Sequence, residues 1–258
     1  MTKASKTLLF LLTGLLALLP FTTQAADAPG TISETWTMVP KADERDAFFK
    51  GLKEHMEVRA KADDPWTWYT YTPMLGDELD LVGVRYCCFN WADLDAYREW
   101  SESNPEVQEH WSKNVDPHVE SYGHYYNRVD WTNSNIKSDW GPYRYFQVID
   151  FSLKTGMESE FDAARDKISQ IALNQGWSGE EHPWMWSTSV GGTPSESIVV
   201  PMRNFADMEP AGQTFFNFLS SVLGGDAAAE KLLQEFSAPI ASQETQIWEL
   251  HEELSMKD

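Results

Sequence analysis

Basic residues are scarce in this sequence, and their scarcity limits the partners that it suits. The 258 residues include 20 Lys and Arg against 40 Asp and Glu, a formal net charge of −20. Such a charge repels phosphate backbones and anionic lipid head groups. We therefore expect neither nucleic acid nor a membrane surface as a partner. Acidity also suits a protein that is simply soluble in a salty medium.

Cysteine is almost absent. The sequence has two, Cys87 and Cys88, and they are neighbours. Neighbouring side chains of a strand point to opposite faces, and a disulfide between them would be strained. The sequence therefore predicts two free thiols, with Cys88 packed as a small apolar side chain. No CxxC motif or second cysteine pair points to a metal or to redox chemistry.

Long apolar runs are missing except at the N-terminus. Lys3 and Lys6 precede an apolar run over residues 8–20, and the small residues of Thr23-Gln24-Ala25 follow it. This pattern is typical of a secretory signal peptide, and the run is shorter than the ~20 residues of a membrane span. We expect cleavage after residue 25, with an uncleaved anchor as the alternative, and a periplasmic or secreted bacterial protein. Removal of residues 1–25 would shift the formal net charge to −22.

Common catalytic signatures are missing as well. The sequence has no GxSxG motif, no pair of histidines at the HExxH spacing and no glycine-rich phosphate loop. Gly191-Gly192 and Gly224-Gly225 lack the residues that surround such a loop and are typical of turns. A serine hydrolase of the α/β type has no support.

The sequence does contain an internal repeat. Pro65-Trp66-Thr67-Trp68 returns 118 residues later as Pro183-Trp184-Met185-Trp186. Asn90-Trp91-Ala92-Asp93 returns 114 residues later as Asn204-Phe205-Ala206-Asp207. Two copies of one unit predict a duplicated fold with pseudo-twofold symmetry. The Asn and Asp of the second motif are typical of a turn followed by a helix cap.

Both copies show the same order of predicted elements, strand–helix–strand–strand–helix–strand. In the first copy, apolar periodicity and turn residues predict strands over residues 34–39, 66–72, 81–89 and 122–129, with helices over 43–62 and 93–115. In the second copy they predict strands over 145–153, 184–190, 197–202 and 244–250, with helices over 157–175, 214–223 and 226–236.

This βαββαβ order is that of a ferredoxin-like unit. Helices cover one face of its sheet, and the other face needs a partner, which the second unit supplies. We therefore predict an α+β protein with a signal peptide at residues 1–25, a first unit at 26–138 and a second unit at 139–258.

The element order, the duplication and the aromatic strands resemble the dimeric α/β-barrel superfamily in its tandem form, over residues 31–255. NIPSNAP-like, EthD-like and antibiotic-biosynthesis-monooxygenase-like proteins share this architecture. The last predicted strand, over 244–250, looks like the closing strand of NIPSNAP-type units. The resemblance implies two ferredoxin-like units packed sheet to sheet as an intrachain barrel, with small apolar or aromatic ligands between sheet and helices. No family motif matches residue by residue, so no catalytic residue is carried over.

The repeated tryptophans are the leading candidates for ligand binding. Alternation places Trp66 with Trp68 on one face, and Trp184 with Trp186 on the matching face of the second unit. An aromatic-lined pocket for a planar or apolar ligand is one interpretation, and a core between two sheets is the other. Arg85 is a further candidate, as an anion contact if it faces inward.

Six histidines are the other candidates for chemistry. His124 and His182, with Tyr126, are the best candidates for a polar contact or general base, although such histidines are often solvated loop residues. His110, His118 and His124 lie near one helix end and the next strand, and their convergence on a metal or haem is an alternative. No cofactor is predicted.

The leading functional hypothesis is an exported protein that binds a small apolar or aromatic molecule in an aromatic-lined barrel cavity, without established catalysis. One alternative is a cofactor-free monooxygenase-like or isomerase-like enzyme acting on such a ligand. Others are a haem- or metal-binding barrel and a purely structural or interaction protein. The oligomeric state is left open.

Overall fold

A computed structural model describes residues 30–136, 141–193, 195–209 and 212–257 of the chain. The expected signal peptide and the expected boundary between the units at residue 138 lie outside these ranges, so both stay predictions. Within the described ranges, no helix combines the length and the apolar character needed to cross a lipid bilayer.

The first unit contains four strands and three helices. In chain order they are β1 (Ile32–Pro40), α1 (Arg45–Lys61), β2 (Tyr69–Leu75), β3 (Val82–Phe89), α2 (Asp93–Ser103), α3 (Pro105–Asn114) and β4 (Val119–Asn135).

The second unit repeats this order. It consists of β5 (Tyr145–Leu153), α4 (Glu158–Asn174), β6 (Trp184–Val190), β7 (Glu196–Met202), α5 (Phe215–Leu223), α6 (Asp226–Ser237) and β8 (Ile240–Leu250).

All eight strands join in one closed antiparallel barrel, with the order β1-β3-β2-β8-β5-β7-β6-β4. Each unit contributes a sheet with the ferredoxin-like order, β4-β1-β3-β2 in the first and β8-β5-β7-β6 in the second. Pairing of β2 with β8 and of β4 with β6 closes the barrel. The predicted α+β class and intrachain barrel are confirmed.

Alternation along the strands gives each sheet two faces with different partners. One face packs against the helices and forms a separate core in each unit. Phe48, Leu52 and Val82 belong to the first core, and Phe161 and Leu219 belong to the second. The other face of both sheets points into the barrel, which the two units therefore line together.

The repeated Asn-aromatic-Ala-Asp motif makes a turn in both units, as predicted, but the predicted side-chain cap is found in the second unit and not at the start of α2. Asp93 Oδ2 accepts a hydrogen bond from the Asn90 backbone N–H at 2.7 Å. The Asn204 side chain accepts from the Ala206 N–H at 2.9 Å, and Asp207 accepts from the Arg203 N–H at 2.9 Å.

The predicted strand start at Trp66 is wrong. The β2 strand begins at Tyr69, so Trp66 and Trp68 lie in the segment between α1 and β2. The predicted strand end at residue 72 is also wrong, because Pro73 continues β2 opposite Trp248 and the register shifts before Leu75. A proline is tolerated at such an irregularity, where a ladder hydrogen bond is already missing.

The prediction of two free thiols is wrong as well. Cys87 and Cys88 form a disulfide, and the peptide bond between them is cis. Alternation along a regular strand does not apply to such a pair. The β1–β3 register also shifts between Ile32 and Ser33, which leaves Cys88 without a partner on β1.

Candidate functional site

A cavity of about 740 Å³ lies in the second unit, between the sheet and helices α4 to α6. We call it the helix-side cavity. Seven aromatic side chains line it: Tyr143, Phe151, Trp177, Trp184, Trp186, Phe215 and Phe236. Cavities of about 300–1,000 Å³ with mostly apolar walls are typical of small-molecule sites.

The two repeated tryptophans of the second unit form part of this wall. Trp184 and Trp186 share the helix-side face of β6 because they are two residues apart. Trp184 Nε1 donates to the Asn133 carbonyl oxygen at 2.6 Å, and Trp186 Nε1 donates to Ser169 Oγ at 3.0 Å. Their indole N–H groups are thus satisfied within the protein, and what they offer to the cavity is apolar ring surface.

Polar side chains line the helix-side cavity together with these rings. His182 stacks on Trp177 with 3.8 Å between the ring centroids, and its Nδ1 lies 3.1 Å from the Trp177 carbonyl oxygen. Arg203 Nε lies 3.0 Å from Asp207 Oδ2, and this hydrogen-bonded ion pair lowers the pKa of Asp207. Glu180, Glu181 and Glu209 also belong to the lining.

The matching region of the first unit is filled with stacked rings. Trp66 stacks on Tyr97 at 3.7 Å between centroids and on Phe89 at 4.5 Å. Trp66 and Trp68 are both buried. Arg59 lies beside them, donates to Tyr97 Oη at 2.7 Å and pairs with the buried Asp64 at 3.1 Å. The structure therefore places these two predicted ligand-binding tryptophans in a packed core.

The difference between the units follows from what comes after the repeated turn. In the first unit the chain continues as α2, which carries Tyr97 and Trp100. In the second unit a short 3₁₀ helix at Phe205–Met208 takes its place, and the sequence has no aromatic residue between Phe205 and Phe215. No ring equivalent to Tyr97 is available to fill the space beside Trp184.

His124 and Tyr126 lie together on β4 of the first unit, apart from His182 of the second. His124 Nε2 is 2.8 Å from Glu34 Oε1, and the His124 ring stacks on Trp36 at 3.9 Å between centroids. Burial, followed by the charge of Glu34, raises the pKa of Tyr126. The three candidates for general-base chemistry are therefore not brought into one site.

The histidines of the metal alternative have separate surroundings. His110 stacks near His55 at 5.6 Å between centroids, His118 Nδ1 contacts Glu44 Oε2 at 2.6 Å, and His124 contacts Glu34. Across the ranges that the structure describes, no three His, Cys, Asp or Glu side chains are grouped to hold a metal ion. The proposed convergence of His110, His118 and His124 thus finds no support in their placement.

Arg85 lines a second cavity, which has a volume of about 500 Å³ and lies inside the barrel. This barrel-interior cavity is separated from the helix-side cavity by β6 and β7. Alternate residues of these strands face each side, as Trp186 and Met185 illustrate.

Several residues of the helix-side cavity were not predicted. Trp177 follows Gly176 directly after α4, and Phe215 begins α5. Neither belongs to a repeated motif, and only the packing of three helices on the sheet brings them beside Trp184. The aromatic cluster in the sequence around Phe215 and Phe218 was the one available signal.

Comparisons with known proteins find likeness in fold. No family model matches the sequence, and no curated protein matches it. The structure of a proposed monooxygenase from Lactobacillus acidophilus NCFM has a TM-score of 0.54 at 8% identity, covering 86% of this chain and 94% of that one. A proposed monooxygenase from Fusobacterium nucleatum has a TM-score of 0.53 at 7% identity, covering 86% and 93%. A chlorite dismutase variant from Candidatus Nitrospira defluvii has a TM-score of 0.52 at 12% identity, covering 86% of this chain and 92% of that one.

At these identities the likeness concerns architecture and not activity. The matching structures share the α+β barrel built from ferredoxin-like repeats, which is the architecture that the duplicated sequence predicted. The chain therefore has the fold of the dimeric α/β-barrel superfamily, with both ferredoxin-like repeats in a single chain.

Proposed function

We propose that this protein binds a small, uncharged apolar or aromatic molecule in the helix-side cavity. The observation that carries the proposal is the aromatic wall of this cavity. The indole N–H groups of Trp184 and Trp186 are hydrogen-bonded to the protein, so a ligand meets only the apolar surface of the two rings. Aromatic walls of this kind favour planar apolar ligands through ring stacking and loss of apolar surface from water.

Charge at this cavity argues against an anionic ligand. Glu180, Glu181 and Glu209 line it, while the one arginine, Arg203, is already paired with Asp207. An anion would meet several carboxylates and no unengaged guanidinium. A neutral ligand avoids this repulsion, which is why we propose an uncharged molecule.

A cofactor-free enzyme on the same ligand is less well supported. Such an enzyme needs an ionisable group with a shifted pKa against the bound molecule. The shifted groups that line the helix-side cavity are Arg203 and Asp207, and their shifts arise from their own ion pair. The likeness to proposed monooxygenases rests on fold alone, so binding without catalysis is our proposal.

Haem is a further group to consider, because chlorite dismutase among the structural neighbours is a haem protein. His182 suits an axial ligand, since a backbone carbonyl at one ring nitrogen orients the other. The carboxylates of Glu180, Glu181 and Glu209 do not fit the two propionates of haem. A shift of the haemin Soret band on mixing with the protein, absent when the His182→Ala variant is used, would overturn our preference for an uncharged ligand.

We further propose that binding takes place outside the cytoplasm. The N-terminal 25 residues support this proposal through their Lys3 and Lys6, their apolar run and their small-residue end. N-terminal sequencing of the protein recovered from a bacterial periplasm tests it. A start near Ala26 is expected, and a retained Met1 in the cytoplasmic fraction would contradict export.

Two neighbouring valines offer a matched test of the binding site. Val200 on β7 lines the helix-side cavity, whereas Val199 faces the barrel interior. We expect Val200→Trp to weaken the binding of 2-naphthol at least tenfold in calorimetric titration, because the new ring occupies the space. Val199→Trp should leave 2-naphthol binding unchanged. Equal losses in both variants, or none in either, would contradict the assignment.

The natural ligand requires a separate measurement. Untargeted mass spectrometry of small molecules released from the purified protein should find an apolar or aromatic compound that is depleted in the Val200→Trp preparation. A compound equally abundant in both preparations would not belong to this cavity.

A further inference from the structure

We propose that the interior of the barrel is a second binding site, which receives a small organic acid with its carboxylate on Arg85 and its apolar body on Trp248. This site is independent of the helix-side cavity, because the sheet separates the two and different faces of the strands line them.

The barrel-interior cavity combines one polar side with one apolar side. Its volume is about 500 Å³, enough for a small organic molecule. Hydroxyl groups come from Thr35, Thr37, Ser187 and Ser189. Apolar surface comes from Phe146, Val148, Met185, Val199 and Trp248. A lining of this kind suits an amphipathic ligand and not a purely apolar one.

Arg85 supplies positive charge inside this cavity. It stands on β3 opposite Thr35 of β1 and Tyr69 of β2. Arg85 keeps some accessible surface because it faces the cavity, and partial burial among the surrounding strands lowers its pKa. A guanidinium that has lost its hydration is a strong site for a carboxylate, which it contacts through two parallel N–H groups.

Tyr71 adds a hydrogen-bond donor beside Arg85. Burial raises the pKa of Tyr71 to about 12, so its phenol keeps the proton at neutral pH. A protonated phenol next to a guanidinium donates to an anion and does not repel it. Both residues come from the first unit, on the side of the lumen opposite β6 and β7.

Trp248 provides the apolar platform. A Cβ atom placed on Gly83 would lie 3.2 Å from Trp248 Cζ3, so the ring reaches from β8 over β2 and rests on the bare backbone of β3. Gly83 and Arg85 are two residues apart on β3 and therefore face the same side. The aromatic ring and the guanidinium are thus neighbours on one wall of the cavity.

The buried carboxyl in the cavity, Asp150, is compatible with an acidic ligand. Burial raises the pKa of this carboxyl, and the hydrogen bond that Ser197 donates to Asp150 opposes the shift without cancelling it. The raised pKa reduces the repulsion of a second carboxylate because it favours the protonated form. Asp150 also lies on β5 of the second unit, whereas Arg85 belongs to the first.

One end of the barrel gives a route into this cavity. The turn at Gly191–Thr193 joins β6 to β7 there, and Tyr125 of β4 lies beside it. A Cβ atom placed on Gly192 would lie 3.5 Å from Tyr125 Cε1, and Tyr125 is 40% exposed. Tyr125 therefore borders both solvent and the cavity, as a residue at an entrance does.

Calorimetric titration with 2-naphthoate tests the proposal, with the neutral 2-naphthamide as the matched probe. Arg85→Gln should weaken 2-naphthoate binding at least tenfold and leave any 2-naphthamide binding unchanged, because the variant lacks the guanidinium that pairs with the carboxylate and the amide carries no charge. Val199→Trp keeps Arg85 and fills the cavity, so it should also abolish 2-naphthoate binding. Val200→Trp, on the other face of β7, should not affect it.

Thermal unfolding of each variant establishes that it is folded, and Val199→Trp keeps the test decisive if Arg85→Gln does not fold. No 2-naphthoate binding to the unmodified protein, or binding that survives both Arg85→Gln and Val199→Trp, would overturn the proposal. Loss of 2-naphthoate binding in Val200→Trp alone would assign the acid to the helix-side cavity. The titrations with 2-naphthol test the helix-side cavity, and those with 2-naphthoate test the barrel-interior cavity. Either proposal can therefore be contradicted while the other stands.

Discussion

At the scale of single residues, the protein buries polar side chains in two ways. Some are fully bonded, such as Trp184 and Trp186, whose indole groups have partners 2.6 and 3.0 Å away. Others are not, such as His55, whose Nδ1 is buried without a hydrogen-bond partner among the described residues. An unsatisfied buried nitrogen destabilises the fold further when it takes up a proton.

His55 should make the stability of the fold dependent on pH. Burial, with smaller contributions from Arg59 and His110, lowers the pKa of His55 from 6.5 to about 3. Below pH 6.5 His55 is protonated in the unfolded state but stays neutral in the folded state. The free energy of unfolding therefore falls as the pH drops toward 3. The free energy of unfolding then falls by up to about 1.4 kcal/mol per pH unit. Urea unfolding between pH 7 and pH 5 measures it.

The variant His55→Leu should flatten this dependence between pH 6.5 and pH 5. His118→Gln is the control, because His118 lies at the surface in contact with Glu44. We expect the control to keep most of the slope. An identical slope in the wild type and His55→Leu would contradict the role of His55.

At the scale of elements, Arg165 ties helix α4 to the barrel. Its guanidinium lies 3.1 Å from Asp162, Asp166 and Glu196, and 3.5 Å from Asp130. Glu196 belongs to β7 and Asp130 to β4 of the other unit, so one side chain joins a helix to two strands. Arg165 is 8% exposed and Glu196 is buried too, so loss of either partner would leave the other charge buried without its counter-charge.

Replacing Arg165 by Met should destabilise the protein by about 3–5 kcal/mol at pH 7, because Glu196 would remain buried without its partner. Burial already raises the pKa of Glu196, and Arg165 opposes that effect. The loss in Arg165→Met should therefore shrink at lower pH, where the carboxylates become protonated. Chemical unfolding at pH 7 and pH 5 measures both values.

Arg203→Met removes an exposed ion pair, with Asp207, and should leave the free energy of unfolding almost unchanged. A loss in Arg165→Met no larger than in this control would show that the buried cluster contributes little.

Elements with strong local patterns were predictable, and those defined by partners were not. Apolar alternation placed β5 at Tyr145–Leu153 and β6 at Trp184–Val190, as observed. The predicted start of β2 at Trp66 is wrong because it relied on the average preference of aromatic residues for strands. In this protein Trp66 stacks on Tyr97 and precedes the first hydrogen-bonded residue of β2. The 17-residue β4 also exceeds its prediction, because its pairing with β6 depends on the other unit.

The candidate site was predictable only in part for the same reason. The Pro-Trp-x-Trp motif marked equivalent positions in both units, but it did not reveal that one copy is packed and the other lines a cavity. That difference depends on Tyr97, which reaches Trp66 from a separate helix. Residue spacing within a motif carries no information about such a contact.

At the scale of the whole molecule, the two units complete each other. The β2–β8 and β4–β6 ladders close the barrel, and both units line its interior. A separated first unit would expose the β2 and β4 edges together with the lumen side of its sheet, including Tyr71. Unpaired edges and exposed apolar faces drive association.

Residues 26–138 expressed alone should therefore form a homodimer, in which β2 of one copy pairs with β4 of the other in place of β8. Light scattering after size-exclusion chromatography measures the mass. Addition of residues 139–258 should exchange the homodimer for a one-to-one complex, because the native pairing is restored. A stable, folded monomer of residues 26–138 would contradict this dependence.

The shared wall of β6 and β7 has a consequence for binding equilibria. Met185 and Val199 face one cavity, while Trp184, Trp186 and Val200 face the other. A ligand that leaves this wall in place changes one chamber only, so the affinity for each ligand should not depend on whether the other is bound. Thermodynamic reciprocity then makes the coupling free energy between the two sites close to zero in both directions.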